Sequence, residues 1–352
     1  METIHRCPVC DAEAARSWPG LVAPFIAERV LRRPVELCDL FECESCTLRF
    51  FGGRYSPEEM ERLYSGYRGS EYFRARHHHE PWYSEKFNRG MGGDPKHVAA
   101  RQEALLAFLR DAGAPGPFRA VLDYGGDAGQ FIPKSLSTAA SVFDVSGVPA
   151  VEGVTAVARD QDLVPEAYDL ILLSHVLEHL PDPMAQLARL RRLLRADEGL
   201  VYVEVPLERP WLGLVGRGSA RRRYLETLRK HQVLLRVMDF SSTLFRVKVN
   251  IVPPFGFVKL HEHVNFFSEG SLRVALDRTG FDVLHVGKVS TVGPRNPPNA
   301  LACLARARAT MKAPAGLPKP LTSAAPTPAV PTRESGTPSL EPGAHTRAHT
   351  QP

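Results

Sequence analysis

The clearest hydrophobic pattern in the chain lies between residues 95 and 310. Val121-Leu122-Asp123-Tyr124 is a short, mostly apolar run of strand character that enters Gly125-Gly126-Asp127-Ala128-Gly129, a glycine-rich turn predicted to open a helix from Gln130 to about Leu136. Ser141-Val142-Phe143-Asp144 reads as a second short strand ending in a carboxylate. Tyr168 to Ser174 is a continuous apolar run of the kind found in a central parallel strand. Met184, Leu187, Leu190 and Leu194 then recur on one face of a helix ended near Gly199, and Leu200 to Pro206 reads as the next strand. A final helix is framed by Ser268 as N-cap, by Leu272, Ala275 and Leu276 on its core face, and by Gly280 past its end. This βαβαβ order with short connections predicts an α/β, Rossmann-like domain.

Two features of that pattern carry chemistry. Glycine has no Cβ, so the Gly125–Gly129 turn lets backbone N–H groups approach a ligand closely. Asp144 follows about 20 residues later, where a carboxylate accepts hydrogen bonds from both hydroxyls of a ribose. With His175-Val176-Leu177-Glu178-His179-Leu180-Pro181-Asp182-Pro183 after the strand at Asp169 to Ser174, residues 95 to 310 resemble the class I S-adenosylmethionine-dependent methyltransferases. Val121 to Gly129 looks like their first motif, and Asp169 to Pro183 like their fourth strand and the loop beyond it. The resemblance implies a seven-stranded sheet covered by helices on both faces. Its last two strands would be an antiparallel hairpin, Phe281 to Val289 with Asn299 to Ala305. It implies S-adenosylmethionine over the carboxyl ends of the strands, held by Asp123, Tyr124, Gly125, Gly126, Asp127, Gly129, Asp144, Ser174 and His175. His175 would stand beside the reacting centre.

Asp127 departs from the family, which usually has glycine there. Its carboxylate would cap the predicted helix, accept a hydrogen bond from the cofactor's ammonium, or repel the cofactor's carboxylate. The last case would make the chain a non-catalytic binding or assembly protein that retains the fold.

Cys7-Pro8-Val9-Cys10 and Cys43-Glu44-Ser45-Cys46 form two CxxC pairs separated by 32 residues. Paired knuckles of this kind converge four thiolates on one tetrahedral ion, usually Zn²⁺, in a closed site whose role is structural. Cys38 is the alternative ligand, and Cys303 reads as a small buried hydrophobe. Residues 1–65 are therefore expected to be a zinc-ribbon-like module. Residues 66–94 follow as an aromatic connector, solvated or facing substrate, with Tyr67, Tyr72, Phe73, Trp82 and Tyr83 around His77-His78-His79. Three consecutive histidines point in different directions, so a shared ion is not expected there. A zinc module, an aromatic connector and a methyltransferase domain (95–312) also resemble bacterial sugar methyltransferases, which act on nucleotide-linked sugars or glycan intermediates.

Within that domain, residues 207–258 read as a helical insertion that selects the acceptor, with Leu225, Leu228, Val233, Leu234 and Val237 as packing residues. Its arginines, Arg217, Arg221, Arg222, Arg223 and Arg229 with Lys230, read as a solvated face and supply much of the net charge of +5. His261 and His263, in His261-Glu262-His263, are candidate bases for removing a proton from the acceptor, together with His175. Glu178 and His179 read as residues that hold their loop. Residues 313–352, with nine prolines and no aromatic side chain, are expected to be a disordered tail. No apolar run reaches the roughly 18 residues of a membrane span, and no signal-peptide layout opens the chain, so a cytoplasmic enzyme is expected. The expected acceptor is a small molecule, a sugar or a natural-product or cell-surface intermediate. RNA is the alternative acceptor, disfavoured by the acidic or balanced charge of the cysteine-rich region. Oligomeric state is not legible.

Overall fold

The computed structural model describes residues 1–308 apart from Met91, Asp197, 210–218 and 250–251. The predicted disordered tail and Arg217 lie outside the described residues. Seven strands form the large sheet: β1 (Phe118–Tyr124), β2 (Ser137–Phe143), β3 (Val154–Val157), β4 (Leu170–Ser174), β5 (Leu200–Pro206), β6 (Phe281–Val289) and β7 (Ala300–Ala307). Their order is β6-β7-β5-β4-β1-β2-β3. The five central and edge strands β5 to β3 run parallel, whereas β7 pairs antiparallel with both β5 and β6. Leu170 to Leu173 in β4 and Leu200 to Val205 in β5 are buried, as a strand covered on both faces must be.

Three helices accompany this sheet, α1 (Pro95–Asp111), α2 (Pro183–Leu193) and α5 (Glu269–Arg278), whereas α3 (Ser219–Lys230) packs on the strand Arg16–Val22 and on α4 (Gln232–Val249). The Asp94 and Asp182 side chains cap α1 and α2 by accepting backbone N–H bonds, and proline opens each helix where its missing donor costs nothing. Ser268 caps α5 through Ser271 N–H, as its sequence indicates.

The helix expected from Gln130 to Leu136 does not form. The connection from β1 to β2 consists of turns, and Pro133 stands in its middle without an N–H to donate. Only seven residues separate Gly129 from Ser137, where β2 begins, too few for a helix and a return to the sheet. Asp127 therefore has no helix to cap.

A second, five-stranded sheet joins three N-terminal strands (Arg16–Val22, Leu37–Glu42 and Arg49–Phe51) to two short strands from the other end of the chain. Lys259–Leu260 pairs parallel with Arg16–Val22, and Asn265–Phe266 pairs antiparallel with Arg49–Phe51. The core below this sheet contains Phe25, Ile26, Leu40, Phe51, Tyr72, Tyr83, Leu260 and Val264. Tyr72 and Tyr83 are fully buried, so the connector adds aromatic rings to this core while much of its length stays exposed. It carries two helices, Ser70–His79 and Glu85–Gly90.

In the insertion, Leu225 and Leu228 are buried as expected, but Val233, Leu234 and Val237 are exposed. Leu235 and Asp239 face inward instead, because α3 and α4 are separate helices and the second starts at a new phase. Arg221 donates to the carbonyls of Pro254 and Gly256, and Arg222 pairs with Asp39 at 3.3 Å, so the basic face is partly engaged. Among the described residues, no helix is long and apolar enough to cross a membrane.

Candidate active site

The carboxyl ends of β1 and β2 open on a cleft of about 670 Å³, within the size range that encloses a nucleoside-sized ligand. Asp127, Ala128 and Gln130 line one side, Ser146, Val148 and Val151 another, and Tyr67, Arg68 and Asn88 of the connector a third. Gly125, with φ +77°, and Gly129, with φ +75°, adopt backbone conformations that L side chains resist. Added Cβ atoms would meet Val176 Cγ2 at 2.5 Å from Gly125 and Asp123 Cγ at 2.1 Å from Gly126. The turn is thus pressed onto the strand ends, and any side chain there would lift it. Asp127 takes the left-handed conformation too, at φ +57°, a region asparagine and aspartate tolerate better than most residues.

Asp144 stands directly after β2. Its Oδ2 accepts the Asp127 N–H at 2.9 Å and its Oδ1 the Ser146 N–H at 2.8 Å, which fixes the carboxylate while leaving lone pairs for a diol. Asp123 is buried beneath the turn, and burial raises its pKa to about 7. Tyr124 turns its hydroxyl to Asp160 at 2.9 Å. Asp123 therefore supports the turn from below, and Tyr124 is anchored to Asp160. Of the expected cofactor residues Asp123, Tyr124, Gly125, Gly126, Asp127, Gly129, Asp144, Ser174 and His175, Asp127 alone is among the residues lining the cleft.

Beyond β4 lies a network of histidines and carboxylates. His175, one residue after Ser174, has φ +56°, a conformation that costs a bulky residue about 1–3 kcal/mol and tends to mark functional sites. Its N–H donates to the Glu204 carbonyl at 2.8 Å, its Nε2 lies 2.9 Å from Glu204 Oε1, and its Nδ1 lies 3.5 Å from Glu178 Oε1. Burial disfavours the imidazolium, but the bonds to Glu178 and Glu204 prevail and raise its pKa to about 9. Glu204 also receives Arg101 at 2.9 Å and the Tyr202 hydroxyl at 2.7 Å. Burial opposes its charge, yet His175 and Arg101 hold it down at about 2.

His263 directs Nδ1 to Glu208 Oε2 at 3.0 Å, and its ring stands edge-on to His179, with centroids 4.5 Å apart. Burial works against its charge, but Glu208 raises its pKa to about 9. His179 Nδ1 meets the Glu262 carbonyl at 3.2 Å, and burial together with the neighbouring His263 lowers its pKa to about 4. Glu178 is 1 % exposed and its carbonyl accepts the Val264 N–H at 2.9 Å, so it does hold its loop to the 261–266 segment.

His261 belongs elsewhere. Its ring stacks on Phe25 with centroids 5.6 Å apart and its Nε2 lies 3.3 Å from Glu80, within the core of the small sheet. Among the three candidate bases, the structure gathers His175 and His263 around Glu178 and sets His261 apart. Glu80 also receives Arg76 at 3.0 Å and Lys259 at 2.9 Å; Arg76 reaches Glu262 at 2.9 Å, and the Tyr72 hydroxyl bonds the same carboxylate. Each charge in this buried cluster has an opposite partner, which removes most of the cost of burying it. Sequence reading missed Arg68, Arg76, Glu80 and Glu208, because each acts on residues far away in the chain and none belongs to a motif.

At the other end of the small sheet the two CxxC pairs form matched turns. Asp11 N–H returns to Cys7 O and Thr47 N–H to Cys43 O, both at 2.9 Å, with Asp11 and Thr47 in left-handed conformations. Cys7 Sγ lies 3.5 Å from Cys46 Sγ, Cys10 Sγ lies 3.3 Å from Cys43 Sγ, and all four sulfurs fall within 4.8 Å of one another as free thiols. Cys38 is not part of this group; it is buried in the hydrophobic core with Phe51 and Leu260. Cys303 is fully buried in β7. The three adjacent histidines diverge: His77 to the Tyr83 carbonyl, His78 to Arg236, His79 to Glu28.

A family model described as a methyltransferase domain matches residues 97–286. No curated protein matches the chain in sequence. Among solved structures, a 1,6-didemethyltoxoflavin-N1-methyltransferase from Burkholderia thailandensis is similar at 17% identity over 77% of this chain and 96% of its own, with a TM-score of 0.40. A magnesium protoporphyrin IX methyltransferase from Synechocystis is similar at 14% identity over 62% and 91%, with a TM-score of 0.38. The family match spans more than half of the 352 residues. The chain belongs to the methyltransferase-domain family and is a class I S-adenosylmethionine-dependent methyltransferase.

Proposed function

We propose that this methyltransferase alkylates a small hydroxylated acceptor, a nucleotide-linked sugar, a glycan fragment or a related natural-product or cell-surface intermediate. The observation that carries this reading is the histidine–carboxylate network beyond β4, where His263 is held on one ring nitrogen by Glu208. When bound, S-adenosylmethionine supplies an electrophilic sulfonium methyl group. The cleft fits it in volume, and Asp144, which accepts the N–H groups of the lining residues Asp127 and Ser146, would offer its remaining lone pairs to the ribose at the cleft's edge.

His263 is the proposed base. With Nδ1 committed to Glu208, its Nε2 would accept the acceptor hydroxyl's proton, and Glu208 would stabilise the imidazolium that results. Both ring nitrogens of His175 face carboxylates, so its part is to lock the ends of β4 and β5 and not to exchange protons. His261, stacked on Phe25, is a structural residue in this scheme. Two further features support a compact acceptor: the N-terminal connector closes one side of the cleft, and the small sheet is built partly from the segment that carries His263.

Cys7, Cys10, Cys43 and Cys46 are the proposed ligands of a structural Zn²⁺. Tetrahedral Zn–S bonds of about 2.3 Å place sulfurs about 3.8 Å apart, near the observed spacing, and four thiolates leave no position for water.

The test is methyl transfer from S-adenosylmethionine by zinc-replete protein to a panel of nucleotide-sugars and glycan fragments, read by mass spectrometry. A methylated sugar whose formation fails in His263→Gln supports the reading. Transfer to RNA alone, with the steep salt dependence of phosphate contacts, would contradict it.

A further inference from the structure

Asp127 carries a negative charge where the family has glycine, beside the expected position of a cofactor whose own amino-acid end includes a carboxylate. The structure answers that charge with a residue from the connector. Arg68 Nη1 lies 3.5 Å from Asp127 Oδ2, and the two side chains, 30% and 34% exposed, line the same cleft. We infer that Arg68 and Asp127 together form a subsite for an α-amino-acid zwitterion, Arg68 taking the carboxylate and Asp127 the ammonium of the cofactor's methionine part. This rests on the cofactor reading of the cleft given above.

Both residues are held for the task. Arg68 has φ +60°, and its carbonyl accepts Asn88 Nδ2 at 2.9 Å; Asn88 in turn receives the buried Tyr83 hydroxyl at 2.6 Å. Asp127 is fixed by its N–H to Asp144 and by Gln130 Nε2, which reaches Asp127 Oδ2 at 3.2 Å and the Gly92 carbonyl at 3.1 Å. A Cβ on Gly92 would stand 3.1–3.2 Å from Arg68 Nη1, Asp127 Oδ2 and Gln130 Nε2 at once, so glycine keeps this corner open. Their separation exceeds the roughly 2.7–2.9 Å of a tight charge-assisted contact, so the pair is loose enough to accept ligand atoms. Through its N–H, Asp127 also touches Asp144, which places the ribose grip and the amino-acid grip one hydrogen bond apart.

The test compares two stable probes by calorimetry on full-length, zinc-replete protein: S-adenosylhomocysteine, which has the amino-acid end, and 5′-methylthioadenosine, which lacks it. Arg68→Ala should weaken S-adenosylhomocysteine by about tenfold or more, since a charge-assisted contact is lost, and change methylthioadenosine less than about twofold. Asp127→Asn should likewise weaken S-adenosylhomocysteine and change methylthioadenosine less, because the partner of the ammonium loses its charge. Equal weakening of both probes in variants with wild-type melting, or no weakening of either, overturns the subsite while leaving the cofactor reading intact. A wild type that binds neither probe overturns the cofactor reading itself.

Discussion

The two sides of the proposed active site, a cofactor side and an acceptor side, are built in different ways. The cofactor side comes from one short stretch: β1, the glycine turn and Asp144 lie within 27 residues, from Phe118 to Asp144, and local chemistry dictates most of its geometry. The acceptor side is assembled from pieces scattered over the whole chain. Glu204 and Glu208 meet His175 and His263, and Arg76 and Glu80 of the connector brace the 259–263 segment. A reaction centre of this kind can keep a fixed cofactor grip while its acceptor wall changes through residues that no motif constrains.

The largest expected effect breaks the acceptor side at its foundation. If four thiolates hold zinc, Cys43→Ser should remove the metal and lower the melting midpoint by about 10 °C or more, because metal binding in such modules is folding free energy. Metal analysis and calorimetry check this; a metal-free wild type of unchanged stability would remove the zinc reading. Next comes the chemistry. His263→Gln should reduce kcat by about 10²–10⁴-fold, the usual contribution of a positioned base, with little change in S-adenosylhomocysteine affinity. His261→Gln should act through stability instead, since His261 packs on Phe25.

A smaller effect separates the histidines by pH. His263 is raised to about 9, so a proton must leave it before it can act as a base, and kcat should rise with pH up to about 9. A rate already flat above pH 5 would point to His179, whose pKa is lowered to about 4. The same raised values have a stability consequence. His175 and His263 bind protons more tightly when folded, so their contribution is complete below about pH 6.5 and is lost as pH rises through about 9. Melting midpoints should therefore fall across that window, and less so in Glu204→Gln, measured against its own value at pH 6. The smallest effect is expected at His78, an exposed residue on Arg236: His78→Ala should change stability by less than about 0.5 kcal/mol and leave metal content unaltered.

Legibility followed the same division. The strands β1, β4 and β5 and the Ser268 cap express local pattern and were readable residue by residue, whereas the hairpin of β6 and β7 followed from the family resemblance and the convergence of the two CxxC pairs from their ligand chemistry. The helix after Gly129 was misread from the glycine-rich turn, because Pro133 and a short connection leave no room for it. Tyr72 and Tyr83 gave no local sign of burial; strands from residues 259–266 close over the N-terminal sheet and make the connector part of a core. The phase of α4 could not be read either, since its inward residues depend on where α3 ends. Asp127 was legible as an anomaly but not as half of an ion pair, because its partner stands 59 residues earlier.

On the proposed reading, S-adenosylmethionine occupies the cleft at β1 and β2 with its ribose on Asp144 at the edge. Calorimetric titration of zinc-replete wild type and Asp144→Ala with S-adenosylhomocysteine tests it most directly. Binding by the wild type and about a 10–100-fold loss in the variant are expected, the worth of one hydrogen bond to a charged acceptor. Equal affinity in both proteins, with melting unchanged, would contradict it.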